Sequence, residues 1–209
     1  MAVSQRRYLC LFFLATLFGC GSSEPAAVEK KAEPKAPLAP VSALSAAYKM
    51  YVSGRSWAAD LEPIEIRSIP LAEVPAKDGN YGAWQAVFVS ASKRAKKTFT
   101  FSLVEKGEQL HEGVFGAQEE SYTPGEGTTL PFPMAAFRTD SPAAFKTALE
   151  KGGKEFQAKN PELPAMFRVE RTKRDASPMM EVFWGVNELS SPYSVVVNAD
   201  TGDFVKIVK

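Results

Sequence analysis

Cysteine and histidine are almost missing from this chain. Two cysteines, Cys10 and Cys20, occur in 209 residues, both within the first twenty positions. Nothing downstream can build a disulfide, a thiolate metal centre or a cysteine nucleophile. One histidine, His111, leaves zinc sites of mixed His and Cys ligands nearly excluded, whereas a purely carboxylate calcium or magnesium site stays open. No sign of charge dominates: 25 Lys+Arg face 24 Asp+Glu, for a formal net charge of +1. A strongly basic nucleic-acid binder or an acidic tail protein would lie further from neutrality. No G-x-S-x-G elbow, P-loop or H-E-x-x-H occurs. What is present is an ordinary globular mixture, 45% hydrophobic and 23% charged.

The N-terminus is the most legible part. Arg6 and Arg7 precede an apolar run from Tyr8 to Phe18, then Gly19 and Cys20. That is a positive n-region, a short apolar h-region and a small residue before a cut. A spanning helix needs about 20 apolar residues, so this run is too short to be one. Leu17-Phe18-Gly19-Cys20 resembles the bacterial lipobox, which implies lipidation of Cys20 as the mature first residue. Gly21, where an aspartate would signal inner-membrane retention, implies sorting to the outer membrane, the body facing the periplasm or the cell surface. Loss of Arg6 and Arg7 with the leader leaves 23 cations against 24 anions. Residues 21–40 are Ala, Pro, Glu, Lys and Ser-rich, with prolines at 25, 34, 37 and 40. Such a segment buries too little apolar surface to offset its ordering entropy. It reads as a semi-extended spacer of at most roughly 60 Å.

Beyond it, the pattern predicts one order of elements twice. Ser42 is a candidate N-cap for a helix whose apolar face is Leu44, Ala47, Tyr48, Tyr51 and Val52. Strand-like stretches follow at 64–69, 83–90, 98–104 and 110–115, with Glu105–Glu108 as the turn between the last two. In the second half Ser141-Pro142 places a cap before a proline, and Phe145, Ala148, Leu149, Gly152 and Phe156 form a helical face ended by Asn160-Pro161. Strand candidates are 166–170, 179–186, 193–198 and 204–208, with Asp200-Thr201-Gly202-Asp203 as the last turn. Aligning the two turns gives an offset of 95 residues, which also brings Trp84–Phe88 near Met180–Trp184. The Pro- and Gly-rich stretch 124–133 reads as the connection.

From Phe183 to Lys209 the chain resembles the end of a PepSY-like domain: Trp184, the strand Tyr193–Val197, Asn198-Ala199-Asp200-Thr201-Gly202, and the strand Phe204–Val208. The resemblance implies a cystatin-like fold and a non-catalytic, protein-binding or peptidase-restraining role. The expected fold class is therefore α+β, two tandem units that each pack one helix on an antiparallel four-stranded sheet. The expected organisation is a leader at 1–19, lipidated Cys20 and linker at 20–40, a first unit at 41–123 and a second at 132–209.

Chemistry-bearing constellations are weak. His111 could act as a base, but alternation in Gln109-Leu110-His111-Glu112 sets it on the surface of a strand with no nucleophile in reach. Asn198, Asp200 and Asp203 lack the ligand ladder of a calcium loop and read as a hairpin turn. Glu119 and Glu120 point to opposite faces of an extended segment. Gly125-Glu126-Gly127 lacks the third glycine of a dinucleotide loop. The basic runs 93–97 and 171–174 fall between strand candidates, as solvated hairpin ends or as surfaces for anionic lipid, polysaccharide or an acidic partner. Phe99, Phe101, Val195 and Val197 read as core.

The expectation is thus a non-enzymatic, lipid-anchored envelope protein with no catalytic residue, metal or cofactor. Its partners would be a membrane, through the N-terminal lipid, and an unidentified envelope protein bound by sheet edge or face, but not nucleic acid. The alternative is a carrier of a small apolar ligand, lipid or cell-wall fragment, held between helix and sheet.

Overall fold

The computed structural model describes residues 38–108 and 110–208; the leader, Cys20 and the linker up to residue 37 lie outside them. The elements run α1 (Ala43–Gly54), β1 (Glu62–Ile69), β2 (Ala83–Ser90), β3 (Ala95–Ser102), β4 (Gly113–Ser121), β5 (Thr129–Leu130), α2 (Ser141–Ala148), α3 (Lys154–Lys159), β6 (Ala165–Thr172), β7 (Met179–Trp184), β8 (Ser194–Asn198) and β9 (Phe204–Val208). The class is α+β. Eight strands form one antiparallel sheet in the order β4-β3-β2-β1-β6-β7-β8-β9, and β5 pairs with the end of β6.

The sheet is continuous because β1 and β6 pair across its midline, Ile66 opposite Val169 and Arg67 opposite Arg168. Each flank is then a four-stranded meander. The β2–β3 and β7–β8 registers coincide when shifted by 96 residues, Ala83 opposite Ser102 and Met179 opposite Asn198. The core is continuous too: Tyr81, Trp84 and Phe167 meet at ring-centroid distances of 5.5–6.1 Å across the midline.

Helix α1 forms where expected but presents another face. Its buried side is Ala43, Ala46, Ala47 and Met50, while Tyr48 and Val52 are 58% and 59% exposed. The facing strands already supply Trp84, Phe88, Phe99 and Phe101, so only small residues let the helix approach. Gly54 obeys the same constraint, since a Cβ there would meet Leu61 at 2.6 Å.

The second helix is capped by Asp140, with Ser141 already helical and Pro142 in its first turn. Asp140 Oδ1 accepts from Ser141 N at 2.8 Å and from Leu44 N at 3.0 Å, and Ser141 Oγ accepts from Ala43 N at 2.9 Å. One loop thereby satisfies orphan donors of both helices. The single expected helix is broken between α2 and α3, where Gly152 takes φ +103°. A side chain there would strike the Tyr193 hydroxyl, which donates to Lys151 O at 2.5 Å.

Three boundaries also shift with consequence. Strand β3 starts at Ala95, so Ala95–Lys97 of the first basic run lie in a strand rather than in a turn, and Arg171 likewise belongs to β6. Strand β4 starts at Gly113 and runs to Ser121, so His111 precedes it. Within the stretch read as a plain connection, Thr129 and Leu130 pair with Thr172 and Arg171.

Candidate binding edge and open sheet face

The helices cover one face of the sheet; the other is open except where Leu71, Val74 and Leu110 pack on Ala83. Along the open face one cross-strand row runs from Phe115 on β4, through Arg67 and Arg168 at the midline, to Lys206 on β9. Two arginines directly opposite each other are an unfavourable pair, and carboxylates gather around them. Arg168 Nη2 lies 2.6 Å from Glu170 and 3.5 Å from Glu65, and its Nη1 lies 2.8 Å from Glu188. Arg67 donates to Gln85 Oε1 at 3.2 Å. Burial pushes the Glu170 carboxyl upward, and Arg168 pulls it back.

The Arg168–Glu188 bond ties down the loop between β7 and β8, which departs at Gly185 with φ +140°. That loop exposes Val186 at 82% and Leu189 at 95%. It separates two clefts of about 350 and 480 Å³ that share Arg168 and Glu188. The larger joins an apolar strip, Met179, Leu189, Val196, Val205 and Val208, to charged side chains of β6, β7 and β9. It runs out onto β9.

The two edges of the sheet differ. On β4, Glu119 accepts from Trp57 Nε1 at 2.7 Å, Glu120 pairs with Lys96 at 3.1 Å, and a bulge interrupts the register opposite Lys97–Phe99. Strand β9 is short and exposed throughout, with Phe204, Val205, Ile207 and Val208 between 39% and 44% exposed. Its one charged residue is Lys206. Charges and bulges blunt an edge, and unprotected apolar edges accept added strands.

The singled-out residues do not assemble a reaction centre. His111 Nδ1 sits 2.5 Å from Glu105 Oε1, and its ring packs 4.4 Å from Phe115. Two hydrogen bonds, from Glu112 N and from His111, hold the Glu105 carboxyl below its ordinary value. Asn198 Oδ1 accepts from Asp200 N and Thr201 N and Asp203 accepts from Thr201, which close the turn, while Asp200 pairs with Arg138 outside it. Glu119 and Glu120 take separate partners, as their alternation requires. Gly125 and Gly127 lie in a loop at φ +80° and +81°. Phe99, Phe101, Val195 and Val197 are buried. Cys20 lies outside the described residues.

Among the described residues no cluster of three or more His, Cys, Asp or Glu could hold a metal ion, and no helix is long and apolar enough to cross a membrane. Met50, Trp84, Phe88 and Phe167 fill the space between helices and sheet. Sequence reasoning missed Arg168, Glu188 and the 185–192 loop. The signal available was two apolar residues out of pattern, Val186 and Leu189, within a polar turn.

No family model matches the chain, and no curated protein matches it. Among solved structures it is similar to a protein of Clostridium difficile 630 described as a candidate lipoprotein, at 7% identity and a TM-score of 0.40, over 78% of this chain and 91% of that one. A likeness at that level bears on neither fold nor function.

Proposed function

We propose that this chain is a lipid-anchored, non-catalytic protein of the bacterial cell envelope whose β9 edge takes up an extended segment of another envelope protein. Lipidation of Cys20 and an outer-membrane address rest on Leu17–Gly21. The body is built of two PepSY-like units fused at β1–β6. What supports this reading is the recurrence of helix and four-stranded meander, with the register of the β2–β3 hairpin alone repeated 96 residues later, in β7–β8. Restraint of a peptidase is the form of binding that the family resemblance favours.

The observation that carries the binding role is the β9 edge, unpaired among the described residues: apolar side chains along an outer strand, next to a cleft of mixed apolar and charged lining and the exposed Leu189. Strand addition supplies affinity through main-chain hydrogen bonds and selectivity through alternate side chains. The test is site-specific photo-crosslinking in the native envelope, with benzophenone side chains at Val205, Ile207 or, on the opposite edge, Gln118. One discrete adduct from the β9 positions and none from Gln118 is the expected result. Equal labelling from both edges would discard the edge assignment. Intact-mass analysis of the mature N-terminus, with Cys20→Ala as control, tests the anchor separately.

A further inference from the structure

A second surface, remote from β9, has its own chemistry. It is the outer face of α1 and the β2–β3 turn beyond its C-terminal end. The rotation of α1 leaves Tyr48 and Val52 on the outside, more than half exposed, beside the exposed Lys49 and Arg55. No acidic residue occurs in α1. The β2–β3 turn brings Lys93 and Arg94 to the same end: Lys93 Nζ lies 5.9 Å from the Trp57 ring, and Tyr122 N donates to Arg94 O at 2.9 Å.

Three acids of this end have fixed partners, of which only that of Glu120 is a cation. Asp60 accepts from Ser90 Oγ at 2.7 Å and from Ser92 N at 2.9 Å, Glu119 accepts from Trp57, and Glu120 pairs with Lys96. Glu62 begins β1. Lys49, Arg55, Lys93, Arg94 and Lys97, the last with its ammonium 5.6 Å from the Phe99 ring, still outnumber Asp60, Glu62 and Glu119 by five to three around a patch of exposed Tyr, Val and half-buried Trp. Aromatic and aliphatic side chains interleaved with Lys and Arg suit the headgroup layer of a membrane, where the cations meet lipid phosphates and the rings sit at the acyl boundary. The patch lies on the element that follows the tether directly, since the linker enters the fold at Val41, one residue before the α1 cap.

We infer that the outer face of α1, with Lys93 and Arg94, docks on anionic phospholipid headgroups, so that the body lies against the membrane that anchors it. This extends the anchoring part of the function above and is independent of partner capture by β9.

Trp57 is a built-in reporter. Of the three tryptophans, Trp84 and Trp184 are fully buried, leaving Trp57 at the surface of the patch. The mature protein is reconstituted into vesicles of phosphatidylcholine alone or mixed with phosphatidylglycerol, acyl chains brominated in both. Quenching of Trp57 is expected to be about threefold stronger with phosphatidylglycerol and to fall toward the phosphatidylcholine level at high salt. The variant Lys49→Glu/Arg55→Glu should lose that difference, and Tyr48→Ser/Val52→Ser should reduce it about twofold. All four positions are exposed, and the near-ultraviolet signal of Trp84 and Trp184 checks the fold. Equal quenching in the two lipid mixtures overturns the inference, as does a charge-reversed variant that behaves like the parent. An acidic protein as the true target would give that equal quenching. Failure of the anchor reads differently: the protein would not stay on pure phosphatidylcholine vesicles at all.

Discussion

Strands β4 and β9 close the same sheet at opposite ends, and they are finished in different ways. Strand β4 carries Glu119 and Glu120 in fixed contacts with Trp57 and Lys96, is bent by a bulge, and has α1 packed near it. Another chain approaching it would have to break those contacts and bury two carboxylates. Strand β9 has a single Lys206 among four exposed apolar residues. The difference teaches that edge protection is local: one sheet can defend one margin and leave the other available.

The comparison can be broken at the midline first, where both edges are made part of one sheet. Arg168→Ala removes the cation shared by Glu65, Glu170 and Glu188. It is expected to cost about 2–3 kcal/mol in denaturant unfolding and to release the 185–192 loop, read as faster amide exchange there.

At the β9 edge, Val205→Lys/Ile207→Lys should weaken photo-crosslinking to the partner from neighbouring positions about tenfold. The melting temperature should stay within a few degrees, because these side chains are already exposed. The matching change on β4, Ala117→Lys/Gln118→Lys, should alter capture less than about twofold.

The reverse experiment strips β4 of its defence. Glu119→Val/Glu120→Val is expected to raise self-association in sedimentation velocity, while the parent stays at its original size.

The smallest effect lies at the turn that leads into β3, β4's neighbour. Hydrogen bonds from the Ser90 hydroxyl and from Ser92 N hold the Asp60 carboxyl at about 2, against 3.8 ordinarily. A lowered folded pKa contributes stability that is present above 3.8 and lost as pH falls toward about 2. Asp60→Asn should therefore lower the melting temperature at neutral pH slightly and flatten its decline across that acid window, as calorimetry at stepped pH would show.

Much of the architecture was legible because its causes are local. Alternation marked β2, the turn residues 200–203 marked the last hairpin, and Ser42 marked the start of α1. The burial face of α1 was not legible, because which stripe turns inward depends on how much room Trp84 and Phe99 leave. The break at Gly152 depends on Tyr193, some forty residues later, and so could not be read from the helix itself. His111 was placed on a strand because alternation cannot see that the β3–β4 connection extends to Glu112.

By itself, the sequence determined the α+β class, most of the strand positions and the scarcity of cysteine and histidine. These follow from composition and from periods of 2 and 3.6 residues, which act over a few neighbours. Only tertiary structure decided that β1 meets β6, that Arg67 faces Arg168 among shared carboxylates, and that β9 is the outermost strand among the described residues. Strand neighbours and burial faces are set by contacts a hundred residues apart, and no local pattern encodes them.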